Sequence, residues 1–149
     1  MTARLLSWYN DVMLTLIACA FCALASLAAS VVAFFSLPGW RLVSGLSRLS
    51  VDRVPNVDSR RLRRSLAVVF AFLALALASM TVALALRLVP QALALPALCA
   101  FALVSYDAAI VVWRSCDRNS YPEPVRRSSR ILALSGNAVL LALLALSFL

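Results

Sequence analysis

The chain has 149 residues, 64% of them hydrophobic and 13% charged, with a mean hydropathy of +0.95. A soluble domain cannot hide that much apolar surface, so the solvent for most of the molecule is lipid. Net charge is +8, every one of the 14 basic residues is Arg, and there is no His, which removes the usual haem ligand, the commonest metal ligand and the neutral-pH proton shuttle.

Residues 1–11 are short and amphipathic, with Trp8 and Tyr9 suited to the headgroup level. Residues 12–36 then form an uncharged apolar run, long enough for a helix to cross a hydrocarbon core of about 30 Å. With only Arg4 ahead of Val12, the start does not read as a cleavable signal, and the run is expected to stay in the membrane. Ala18, Cys22, Ser26 and Ser30 repeat a small residue at every fourth position, a row that lets another helix approach closely. Ser26 and Ser30 can also bond back to carbonyls one turn earlier.

Cys19 and Cys22 form a C-x-x-C pair, which serves thiol oxidation only where one thiol is activated. Four-span, quinone-linked thiol oxidases place such a pair near an aqueous face and use further thiols with it. Here the pair lies about a third of the way into an apolar span. Packing is the expected role, and a membrane thiol oxidoreductase is the third functional reading.

The first connection, 37–64, carries seven Arg and two Asp. Within it, 39–54 places Leu42, Val43, Leu46 and Leu49 at helical spacing, which predicts an interfacial amphipathic helix. Arg41, Arg48, Arg60, Arg61, Arg63 and Arg64 are candidates for lipid headgroups. Asp58-Ser59 offers an N-cap for the next helix.

The second and third spans are expected at about 65–87 and 91–113, with a tight turn near 88–91 and Pro96 in the first turns of the third. Asp107 is the one ionisable residue inside a span. An intramembrane carboxylate marks a proton relay, an ion site or a partner for a cation. The expected role is a structural ion pair with Arg114, Arg64 or Arg130. The second connection, 114–127, is again basic, and Glu123-Pro124 reads as a helix start. Arg126, Arg127 and Arg130 follow at headgroup depth. The fourth span, about 128–149, contains Gly136-Asn137, a close-approach glycine and an amide able to bond across helices.

Twelve of the 14 Arg thus lie in 37–64 and 114–130, which the alternation of spans puts on one side. The positive-inside bias turns that side to the cytoplasm or mitochondrial matrix and both termini away from it. The expected fold is an all-α integral membrane protein, one domain of four transmembrane helices in an antiparallel up-and-down bundle. No nucleotide-binding, zinc-protease or Ser/His/Asp pattern occurs, and the first span lacks the Glu that small four-span multidrug transporters carry there. The expected function is a non-catalytic structural or assembly subunit of a larger membrane complex, favoured in the mitochondrial inner membrane and its respiratory or other energy-transducing complexes, with a bacterial inner membrane as the alternative. A small oligomeric transporter or channel using Asp107 is the second reading. Expected partners are other membrane-protein subunits and anionic phospholipid, with no nucleic acid, no small-molecule substrate, no cofactor and no metal.

Overall fold

The computed structural model describes residues 2–44, 46–48 and 52–148; the side chains of residues 1–12, 48 and 91 fall outside that description, and with them the expectations for Trp8 and Arg48. Five α-helices follow one another: α1 (Thr2–Phe35), α2 (Trp40–Val43), α3 (Ser59–Ala85), α4 (Ala94–Cys116) and α5 (Glu123–Leu146). Four of them are long and apolar enough to cross a membrane: Met13–Phe35 within α1, then α3, α4 and α5. The chain is an all-helical, four-span membrane bundle.

Starts and stops have local causes. Asp58 caps α3, its carboxylate accepting the Arg61 amide at 3.0 Å, and Pro124 sits in the first turn of α5. Both starts were expected at these residues, though each helix begins a turn or more ahead of the apolar run it carries. α1 and α3 end alike. Ser36 (φ 56) and Arg87 (φ 57) turn left-handed, while Leu37 N–H donates to the Val32 carbonyl at 3.1 Å and Leu88 N–H to Ala83 at 2.8 Å. These closures satisfy carbonyls that lipid would leave bare, and Pro38 and Pro90 stop either helix from continuing. A short 3-10 turn, Gln91–Leu93, leads into α4, with Pro96 in its first turn as expected.

The spans pack in chain order, α1 on α3, α3 on α4 and α4 on α5. α5 touches the rest chiefly through α4 and buries none of its residues. Close packing concentrates at the two ends. Leu46, Val57, Leu62, Leu66 and Cys116 form one cluster at the basic end, flanked by Trp40, Phe70 and Trp113. Cys19, Leu84 and Ala94 form the other, with Leu16, Met80 and Leu98 against them.

Two expectations need correction. The small-residue row 18/22/26/30 is not the face that α1 buries. Cys19, Ala23, Ser30 and Ala33 are buried and Ser26 partly so, whereas Ala18 and Cys22 are exposed. A step of four residues overshoots one turn by about 40°, so three such steps wind about 120° around the helix, while alternating steps of three and four stay on one side. Ser26 Oγ bonds back to the Cys22 carbonyl at 2.8 Å as expected. Ser30 Oγ instead donates across the interface to the Ala67 carbonyl of α3 at 2.8 Å.

The expected interfacial helix over 39–54 is broken into short pieces. One turn, α2, is followed by 3-10 turns at Leu46–Arg48 and Val54–Asn56. The Ser44 carbonyl, which would continue α2, is taken by the Trp113 indole N–H at 2.6 Å. Leu46 turns into the basic-end cluster, 3% exposed, Leu42 and Val43 stay outward, and Leu49 lies outside the described residues.

The Ser30 contact sets the first test. Ser30→Leu should overpack the α1–α3 seam and lower stability by about 1–3 kcal/mol, and Ser30→Ala by about 0.6 kcal/mol through the lost bond. Cys22→Leu, on the outward face, should change little. Thermal unfolding of the three variants in one detergent checks this; an equal cost for Cys22→Leu and Ser30→Leu would reinstate the fourfold row.

Candidate functional site

The polar residues gather at the basic end and at one point along the spans. At the basic end the two Arg-rich connections are stitched together. Val57 and Asp117 form an isolated antiparallel bridge; Asp58 N–H donates to the Cys116 carbonyl at 2.9 Å and Arg118 N–H to the Asn56 carbonyl at 3.2 Å. Asn119 is the hub. Its side-chain amide donates to the Arg53 carbonyl (3.0 Å) and to Asp117 Oδ1 (2.7 Å), and its Oδ1 accepts from Asn56 Nδ2 (3.1 Å). Asp117 also accepts from Asn119 N–H at 3.0 Å and from the Tyr121 hydroxyl at 2.7 Å. The Arg53 guanidinium lies 4.9 Å from the Tyr121 ring centroid. Burial, followed by the bond to Asp117 and its charge, pushes the Tyr121 phenol above its ordinary value of 10.0, against a smaller pull downward from Arg53. Nothing in the spacing of these residues announced the network. Its one legible signal was polar residues without apolar periodicity in both connections, opposite one another across a pair of spans.

The headgroup candidates spread around this end rather than forming one site. Arg60, Arg61 and Arg64 line a shallow surface with Asp58 and Ser65. Arg41 borders a different concavity with Leu46, Ser47 and Val57. Arg63 is half-buried, its Nε without a partner. Arg127 is exposed. Arg126 and Arg130 meet Arg114, absent from the headgroup set, in a cleft between the C-terminal end of α4 and the first turns of α5.

Along the spans, Asp107 stands near the middle of α4 and is exposed on the outside of the packed helices. Its Oδ1 accepts from Asn137 Nδ2 of α5 at 2.7 Å. The expected ion pair is not formed: among the described residues, no Arg side chain comes within 4.0 Å of this carboxylate. Arg114 and Arg130 turn into the cleft at the helix ends, and Arg64 lies on the surface beside Arg60 and Arg61. Asn137 has a buried Oδ1 with no partner, so its amide is half used. The neighbouring Gly136 explains how the helices come this close. A Cβ there would lie 2.7 Å from Cζ of the Tyr106 ring and nearer still to its hydroxyl. Gly136 and Asn137 thus occupy the α4–α5 contact, the position expected of packing residues.

The cysteines form no disulfide. Cys19 is buried in the apolar cluster, Cys22 is exposed on the lipid side of α1, Cys116 belongs to the basic-end cluster, and all four are free thiols. Among the described residues no three potential metal-ligating side chains come together.

No protein-family model, curated protein or solved structure matches the chain. The functional reading therefore stands on these side chains alone.

Tyr121 gives a pH test of the stitch. A phenol pushed up in the folded state adds stability that is complete below the ordinary tyrosine value and is lost as pH rises through the raised one. In a spectrophotometric titration of tyrosine ionisation, the component that Tyr121→Phe removes should come in above pH 10.0, and Asp117→Asn should move it down. Asp117→Ala should cost about 1 kcal/mol, since it strips the acceptor from Asn119 and Tyr121 at a partly solvated site. A Tyr121 component that ignores Asp117→Asn would contradict the contact.

Proposed function

We propose that the chain is a non-catalytic subunit of a larger membrane complex, joined to its neighbours by helix–helix contacts within the bilayer. The observation that carries this reading is Asp107, a carboxylate exposed near the middle of a span with a single amide as its partner. A charged group facing acyl chains is costly, and charged groups in spans pair with one another or face a protected interior. Asp107 lacks both within this chain. A neighbouring helix that brings an Arg, a Lys or an amide to this depth supplies the missing donor. The same helix would cover part of α5, whose Leu134 and Leu141 are exposed on the side near Asn137.

The basic end supports the second half of the reading, contact with anionic phospholipid headgroups. The setting we favour is the mitochondrial inner membrane, in a respiratory or other energy-transducing complex, with the Arg-rich end toward the matrix and both termini toward the intermembrane space. A bacterial inner membrane with periplasmic termini is the alternative. In either membrane the proposed orientation is supported by the twelve Arg of 37–64 and 114–130.

Asp107→Asn tests the subunit reading, because it keeps the shape and the bond to Asn137 but removes the charge. The tagged chain recovered in mild detergent should lose its unlike membrane partners, or retain them at a reduced ratio, while its own unfolding temperature changes little. A variant that assembles normally yet loses ion- or proton-coupled transport in vesicles would decide for the transporter reading.

A further inference from the structure

The cleft at the α4–α5 end differs from the rest of the basic surface. This open cleft has a volume of about 560 Å³, and Arg114, Arg126 and Arg130 all line it, together with Ser129 and Trp113. None of the three makes an ion pair or a hydrogen bond through its side chain within the described chain. The one acid in the lining, Asp117, is already occupied by three donors from Asn119 and Tyr121. Counting that acid, the cleft carries two uncompensated positive charges. Asp58, by contrast, is the acid beside Arg60, Arg61 and Arg64, and it is held as the cap of α3 on an open surface.

We propose that this cleft is a binding site for the headgroup of a phospholipid carrying two negative charges, a phosphomonoester or a paired phosphate. Guanidinium groups meet phosphate oxygens with two parallel hydrogen bonds, and three of them around one hollow can surround a dianion. Ser129 adds a hydroxyl donor. A lipid rather than free phosphate is the occupant because the cleft is edged by Trp113 and Val125, an aromatic ring and an apolar side chain that suit the start of an acyl chain. The α4 and α5 helices that form it are spans, so its mouth lies where headgroups lie. This deepens the lipid half of the proposed function by naming the site and the charge of its ligand. Its failure would leave the subunit reading standing, because the Asp107 test involves none of these arginines.

The experiment uses the full chain in neutral-detergent micelles, with the rise in unfolding temperature followed as lipid is titrated in. Phosphatidate and cardiolipin should half-saturate at about a tenfold lower mole fraction than singly charged phosphatidylglycerol. Arg126→Gln and Arg130→Gln should each weaken the response to the doubly charged lipids about fivefold, on a scale of about 1 kcal/mol per basic residue near such headgroups. Arg118→Gln removes the same charge from the same end, outside this cleft, and should stay within about twofold. Each variant should unfold at the parent temperature without lipid, since these side chains hold nothing in the chain. Equal weakening by Arg118→Gln would overturn the site in favour of diffuse attraction. So would equal response to singly and doubly charged lipids. A shift given fully by inorganic phosphate, and lost in the same variants, would overturn the lipid as occupant.

Discussion

Every backbone amide and carbonyl within the hydrocarbon must find its partner inside the protein, and this constraint shapes the whole chain. It forces four uninterrupted helices and drives irregular backbone to the ends. It also explains the left-handed residues Ser36 and Arg87, which close α1 and α3 against their own last turns. The backbone freed at the basic end is then satisfied by the other connection rather than by water alone, through Val57, Asp58, Cys116 and Asp117. Lipid does not reward helix–helix contact through hydrophobicity, so small residues and a few interhelical hydrogen bonds make up the packing. Ser30 to Ala67 and Asn137 to Asp107 are the two such bonds between spans among the described residues.

The fold was legible because span length, charge asymmetry and the helix starts are local properties. Asp58, Glu123-Pro124 and the Pro90–Pro96 turn could each be read from a few adjacent residues. What was not legible depends on relations between distant segments. The buried face of α1 follows where α3 lies, so the fourfold row through Ala18 and Cys22 looked as good in the sequence as the row through Cys19, Ala23, Ser30 and Ala33. The apolar spacing of 39–54 is real, but its described parts are short turns, with the Ser44 carbonyl bonded to the distant Trp113 and Leu46 packed inward. Asp107 stands out in the sequence as a carboxylate within a span, but its partner cannot be read there. An Arg two turns away seemed the natural counter-ion, yet the nearest donor is an amide on the facing helix.

The polar groups divide into those that complete the chain and those left over. Asn119, Asp117, Tyr121 and Arg53 satisfy one another and hold two connections as a single cap. Among those left over are the unpartnered oxygen of Asn137, Arg63 Nε and the three arginines of the cleft, with Asp107 held by a single amide. Groups that lack partners within a folded chain are the ones for which another molecule must answer. At the middle of the span acyl chains offer no donors, so under the proposed function that molecule is protein. At the headgroup level it can be lipid. On this view α5, the least covered span, is the side on which the chain meets its neighbours.

The composition of the assembly tests this account most directly. The chain, extracted from its native membrane in a mild detergent or directly into lipid nanodiscs, should be weighed intact by native mass spectrometry. The account predicts a defined mass in which one copy of the chain is bound at fixed stoichiometry to an unlike integral membrane protein. The chain found alone, or only with copies of itself, would contradict it.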